Sequence, residues 1–190
     1  MRKSIILILI LQSFSSFSQY DYAATVKNPF GKLNPDAPKE VADYKDLIGT
    51  CDCKSIARID RDNWADTVAM KWTFKYIMNG LGVQDQTLKA DGTHSGSIRQ
   101  FNADSSMWYV HYYTSRASVP VLPAWGGGMR GDKIVLYNDQ PAPNGTEGFF
   151  KITFSDISSE GFNWTGAWTS KDESIIYPTW KIFCLKTEDG

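Results

Sequence analysis

Residues 162–185 read FNWTGAWTSKDESIIYPTWKIFCL, and the alternation within them decides the fold class. Phe162, Trp164, Gly166 and Trp168 fall on one face of an extended chain, while Asn163, Thr165, Ala167 and Thr169 fall on the other. After a polar turn the pattern resumes with Trp180, Ile182 and Cys184 against Thr179, Lys181 and Phe183. A period of two is the mark of a half-buried β-strand. The stretch therefore predicts a β-hairpin with Trp164, Trp168 and Trp180 on one side. Rings gathered in this way either fill the interior of a β-structure or line a pocket inside it.

The same period recurs upstream. Thr50 to about Ile59 is the first expected strand, and Ala69–Met78 is the clearest one. There Met70, Trp72, Phe74, Tyr76 and Met78 share a face opposite Lys71, Thr73 and Lys75. Asn79-Gly80 signals a tight turn into a return strand over Gly82–Lys89. Asp91-Gly92 turns into Ser95–Asn102, and Asp104-Ser105 turns into Met107–Thr114. Residues 117–131, rich in Pro and Gly and holding Trp125 and Gly126-Gly127-Gly128, read as a loop. Lys133–Asn138 and Gly148–Ser155 follow as strands, with Pro141, Pro143 and Asn144-Gly145 between them. Near the start, Asn34-Pro35-Asp36-Ala37-Pro38 opens a short helix, with Asp36 as its cap and Gly49 just past its end. Val41, Tyr44 and Ile48 share its apolar face. Nine or ten strands joined by short turns pair antiparallel, and closing the set into a barrel removes its edges. An aromatic content of 14 % fits such a chain, because aromatic side chains suit a pleated, half-buried surface.

Four segments carry a resemblance. YKDLIGTCDC (44–53) is similar to the opening of calycin-type barrels, with Thr50-Cys51 where those barrels usually place Trp. FNADSSMWYVHYYTS (101–115), WGGGMRGDKIVLY (125–137) and ITFSDISSEGFNWTGAWTSKDESIIYPTWKIFCLK (152–186) resemble a family of secreted bacterial proteins of unknown function and lipocalin-like fold. The likeness runs over roughly residues 40–186 and is most specific in the Trp-rich final hairpin. It implies an all-β chain, a single antiparallel calycin-like barrel of about eight to ten strands with a short N-terminal helix. It also implies secretion, and it supplies no catalytic residues.

The first residues have a different character. Arg2 and Lys3, the apolar run Ile5–Leu11 and the small residues Ser16-Phe17-Ser18 have the layout of a secretory signal peptide, too short to span a bilayer. The expected organisation is a signal peptide over 1–18, cleavage before Gln19, a flexible leader over 19–33 and the barrel domain over 34–190. The expected location is secreted or periplasmic, and no Cys follows the apolar run to carry a lipid. Without residues 1–18 the formal charge falls from −1 to −3, 18 basic against 21 acidic groups. A mildly acidic chain without a basic stripe is a poor partner for nucleic acid, whose binding rests on neutralised phosphates. No later stretch is apolar enough for a membrane span. Cys51, Cys53 and Cys184 remain in an oxidising compartment, so one disulfide and one free thiol are expected. Cys51 and Cys53 point the same way from one strand, so Cys184 pairs with one or the other if the first and last strands meet. The spacing does not match a zinc site, which uses two to four residues between paired ligands.

Candidate site residues are few. Arg99 and Phe101 share one face of their strand. Met107, Tyr109, His111 and Tyr113 oppose Trp108, Val110 and Tyr112 on the next. If Arg99 and His111 both face inward, the interior holds a cation and a titratable group beside tyrosines, a combination suited to an anionic or amphipathic small molecule. The expected ligand-binding set is Trp72, Tyr76, Arg99, Tyr109, His111 and Trp168, with no metal and no cofactor. Neither His94 nor His111 is accompanied by a nucleophile elbow, nor by anything else that marks a haem ligand. The acidic pairs Asp60/Asp62 and Asp172/Glu173 read as solvated turns. Arg130-Gly131-Asp132 reads as a hairpin turn. The main expectation is an exported barrel that binds a small, partly apolar or anionic ligand in its interior. The alternatives are a secreted enzyme using His111 and Arg99 in the same cavity, or an interaction module whose Trp125 loop meets a protein partner.

Overall fold

The computed structural model describes residues 20–187, so the expected signal peptide and its junction at Gln19 lie outside the described residues. A helix of 3-10 type over Lys39–Leu47 leads into ten strands. These are β1 (Gly49–Ala57), β2 (Val68–Ile77), β3 (Gly82–Lys89), β4 (His94–Asn102), β5 (Met107–Thr114), β6 (Ala124–Arg130), β7 (Lys133–Asp139), β8 (Gly148–Ser155), β9 (Gly161–Ser170) and β10 (Ile176–Lys186). Each strand pairs antiparallel with its sequence neighbours, and β1 pairs with β10 to close a calycin-like barrel. Among the described residues no helix is long and apolar enough to cross a membrane.

Alternation sets the interior as the sequence indicates for most strands. Met70, Trp72, Phe74 and Tyr76 of β2 are buried, as are Phe162 and Trp164 of β9 and Ile182 and Cys184 of β10. Met78 leaves that set: it sits in the turn at positive φ and is exposed. One expected loop is a strand. Residues 117–131 contain β6, whose Gly126–Gly128 pair with Val135–Tyr137 of β7. Three glycines have no side chains to alternate, so no pattern betrays them. The local need for glycine is backbone proximity, because a Cβ at Gly127 would collide with the Val135 carbonyl oxygen.

The helix differs from expectation in phase and cap. Its fully buried residues are Val41, Tyr44 and Leu47, three apart as a 3-10 turn requires, and not Ile48. Asp36 does not cap it. Asn34 instead turns the chain ahead of the helix, its Oδ1 accepting from the Asp36 amide at 2.9 Å. The buried face plugs one end of the barrel. Tyr44 meets Trp108 edge-on at 4.8 Å and Phe154 at 6.3 Å, and the Trp108 indole N–H donates to Asp43 Oδ2 at 3.0 Å. Behind the plug Trp72, Phe74, Phe154 and Phe162 stack at centroid distances of 5.2–6.2 Å. Edge-to-face contacts at such spacings add to the burial of the rings.

The segment expected as a leader forms no helix or strand over residues 20–33, yet it is tied to the barrel. Beyond the start of β1, Phe30 O takes the Tyr76 amide at 2.8 Å, and the Tyr22 amide donates to Asn79 Oδ1 at 3.0 Å. Closure brings Cys53 opposite Cys184, and these two form the disulfide, leaving Cys51 free and buried. Burial pushes the Cys51 thiol above its ordinary pKa, against the pull of Lys186.

The bond spans a sequence separation of 131 residues. Restricting the unfolded chain over such a loop stabilises by about 4–5 kcal/mol in the chain-entropy picture. The double variant Cys53→Ala/Cys184→Ala is expected to lose much of that amount in urea unfolding. Cys51 is expected to resist alkylation until the protein unfolds. Gly127→Ala should cost about 1–3 kcal/mol by the same measurement, the usual penalty for overpacking.

Candidate binding cavity

The rings fill only the half of the barrel next to the helix. The other half holds a cavity of about 210 Å³. Its wall comes from the strand ends nearest the β1–β2, β3–β4, β5–β6, β7–β8 and β9–β10 connections: Met70 and Trp72 from β2, Thr87 and Lys89 from β3, Ser95, Ser97 and Arg99 from β4, Tyr112 from β5, Trp125 from β6, Phe150 and Ile152 from β8, and Trp180 and Ile182 from β10. Helix and cavity therefore sit at opposite ends, and the half-buried Lys89, Tyr112, Trp125 and Trp180 stand toward the mouth.

A buried ion pair divides the packed half from the hollow half. Arg99 Nη1 donates to Asp85 Oδ1, and both side chains are under 5 % exposed. Trp72 Nε1 donates to the second carboxylate oxygen at 2.8 Å. The guanidinium carbon lies 5.3 Å from the Tyr44 ring centre, 5.2 Å from Phe74 and 5.8 Å from Phe154. Burial opposes the charge on Arg99, but Asp85 and Tyr44 more than offset it and hold the guanidinium protonated. Tyr44 is pushed up to about 12 by burial, with Arg99 pulling the other way. Arg99 Nε and Tyr44 Oη have no hydrogen-bond partner among the described residues, and they belong to this boundary layer under the helix.

Around the hollow half, polar atoms find partners within the wall. Thr87 and Ser95 share a hydroxyl hydrogen bond at 2.6 Å, and Trp180 Nε1 donates to Ser55 Oγ at 2.7 Å. Trp125 is different, since its indole N–H is buried and has no acceptor among the described residues. Lys89 extends its amine over the Trp180 ring, 4.8 Å from the centre. Burial lowers the Lys89 pKa, Arg116 lowers it further, and Asp91 acts in the opposite sense.

Of the six residues expected to bind, Trp72 and Arg99 are on the cavity wall. Tyr76 is buried on the inner face but lies outside the cavity lining. Tyr109 and His111 point outward: Trp108 and Val110 are the buried members of β5, so alternation sends Tyr109 and His111 to the outer face. Arg99 and His111 thus do not meet. Trp168 shares the register of Phe150, but its indole lies over Gly148 and donates to Gln140 O at 2.9 Å, outside the cavity. Trp125, expected in an exposed loop, faces inward. Asp85 and Lys89 were absent from the expected set. Their signal is Val83, an apolar residue that sets the inward phase of β3 and carries Asp85, Thr87 and Lys89 with it.

The fold and site together define a closed β-barrel with a plugged base and an aromatic-walled interior cavity. No protein-family model matches the chain, and a search of curated proteins finds no significant match.

Removing one member of a buried ion pair strands the other charge, at about 3–5 kcal/mol. Asp85→Ala is expected to lose that much in denaturant unfolding. Asp85→Leu combined with Arg99→Met should recover most of it, because apolar replacement of a whole buried pair is commonly neutral or better.

Proposed function

We propose that this protein is an exported binder that holds a small, partly apolar or anionic ligand inside its barrel. The observation that carries this reading is the hollow half itself, where the wall is largely aromatic and aliphatic with a few fixed polar groups, the usual make-up of a small-molecule site. At about 210 Å³ it exceeds the roughly 150 Å³ apolar cavity that accepts benzene, so a body of one or two rings fits and a long lipid does not. Export is supported by the charged and apolar layout of residues 1–18 and by the Cys53–Cys184 bond, which suits an oxidising compartment. The resemblance to secreted lipocalin-like proteins agrees with both parts.

Native mass spectrometry of protein purified from its own host tests the reading. The expected result is a chain beginning at Gln19 that retains a small molecule, released on unfolding. An intact Met1 on exported material would remove the export part. Val110→Phe, which places a ring on the cavity wall, should abolish retention while the far-ultraviolet spectrum stays that of a folded barrel. Trp168→Ala, outside the cavity, should leave retention unchanged. Retention that survives Val110→Phe and falls with Trp168→Ala would place the site elsewhere.

A further inference from the structure

The charges on the cavity wall do not balance. Asp85 and Arg99 neutralise each other at the floor. Lys89 is then the uncompensated member, a half-buried ammonium that forms no salt bridge among the described residues. The acid nearest in sequence, Asp91, is engaged by Arg116 at 2.7 Å. The Trp180 ring holds the amine in place through its face, a contact that orients a cation without neutralising it. A partly desolvated charge of this kind is stabilised by any counter-charge that enters with it.

A second group is also unmatched. Four of the other six indoles donate to fixed acceptors: Trp72 to Asp85, Trp108 to Asp43, Trp168 to Gln140 O and Trp180 to Ser55. Trp125 Nε1 has none among the described residues, although it is buried. Leaving a buried donor unmade costs about 1–3 kcal/mol. In the register Trp125 lies opposite Val110, and Val110 lies opposite Arg99, so the indole shares a cross-strand row with the cationic member of the floor pair. Among the described residues the wall therefore offers the Trp125 N–H as an unmatched donor above the floor, where Arg99 Nε is also unmatched, and Lys89 as a cation without a salt bridge near the mouth.

Resting on the interior-binding reading above, we infer that the ligand is a compact aromatic monoanion, held by Lys89 at its anionic group and by the Trp125 N–H at an acceptor oxygen, with its rings against Trp72, Trp164 and Phe150. A cationic ligand meets Lys89 as a like charge. A pure hydrocarbon leaves both groups unpaired.

Three probes of similar shape separate the terms: naphthalene, 2-acetylnaphthalene and 2-naphthoate, titrated by calorimetry into purified protein freed of any retained molecule. The parent protein should bind 2-naphthoate most tightly and naphthalene least. Lys89→Met should weaken 2-naphthoate by at least about tenfold and leave 2-acetylnaphthalene within about twofold. Trp125→Phe should weaken both oxygen-bearing probes several-fold relative to naphthalene. Equal affinity of the parent for the acid and the ketone, or a Lys89→Met loss shared equally by both, overturns the inference while leaving an interior binder. Failure of all three probes to bind removes the interior-binding reading itself, and this inference with it.

Discussion

Pairing of β1 with β10 is the constraint on which the interior depends. A meander of ten strands has two open edges, each a row of unpaired amides and carbonyls. Joining Cys51–Ala57 to Trp180–Lys186 consumes both edges at once and makes an inside where there was only a sheet. The disulfide sits within that seam, while the leader ties to the end of β2, beyond the start of β1. Covalent reinforcement thus falls at the junction formed by the parts of the barrel most distant in sequence.

Once closed, the interior must be filled or left partly hollow, and the protein does both. The 3-10 helix drives Val41, Tyr44 and Leu47 into one end, and the rings of Trp72, Phe74, Trp108, Phe154 and Phe162 pack beneath it. Asp85 and Arg99 mark where packing stops. A buried ion pair is a poor source of net stability. It is a good way to fix side chains at a boundary, because every misplacement exposes an unpaired charge to a medium that solvates it weakly. Trp72 serves both halves: its ring packs toward Phe74 and Phe162, and its N–H ties it to Asp85.

Much of this was legible in the chain. The inner faces of β2, of β9 as far as Gly166 and of β10 from Trp180 follow from alternation, which Trp168 leaves, and the pairing of Cys184 with Cys51 or Cys53 follows from closure. What could not be read falls into physical categories. Gly126–Gly128 carry no side-chain pattern, so β6 and the inward direction of Trp125 were hidden together. On β5 both faces are aromatic, Met107-Tyr109-His111-Tyr113 against Trp108-Val110-Tyr112. Tertiary contacts, among them the docking of Tyr44 and Asp43 onto Trp108, accompany the face that turns in. The helix gave a phase error because a 3-10 turn has a period of 3.0 and not 3.6 residues. Asp85 and Lys89 were overlooked because charged residues on a strand ordinarily mark its wet side. Here a cation across the sheet and a cavity invert that rule.

The base of the barrel being stoppered has a kinetic side. A pocket with one doorway works as a cul-de-sac: water leaving and solute arriving use the same passage, in opposite directions, past the same loops. Exchange then proceeds by strict turn-taking, with no through-flow and no relay from one end to the other. Anything lodged at the entrance, even without reaching the floor, blocks arrival and departure alike. A molecule held there would have to enter and leave past the connections 58–67, 115–123 and 140–147, which lie at the end opposite the helix.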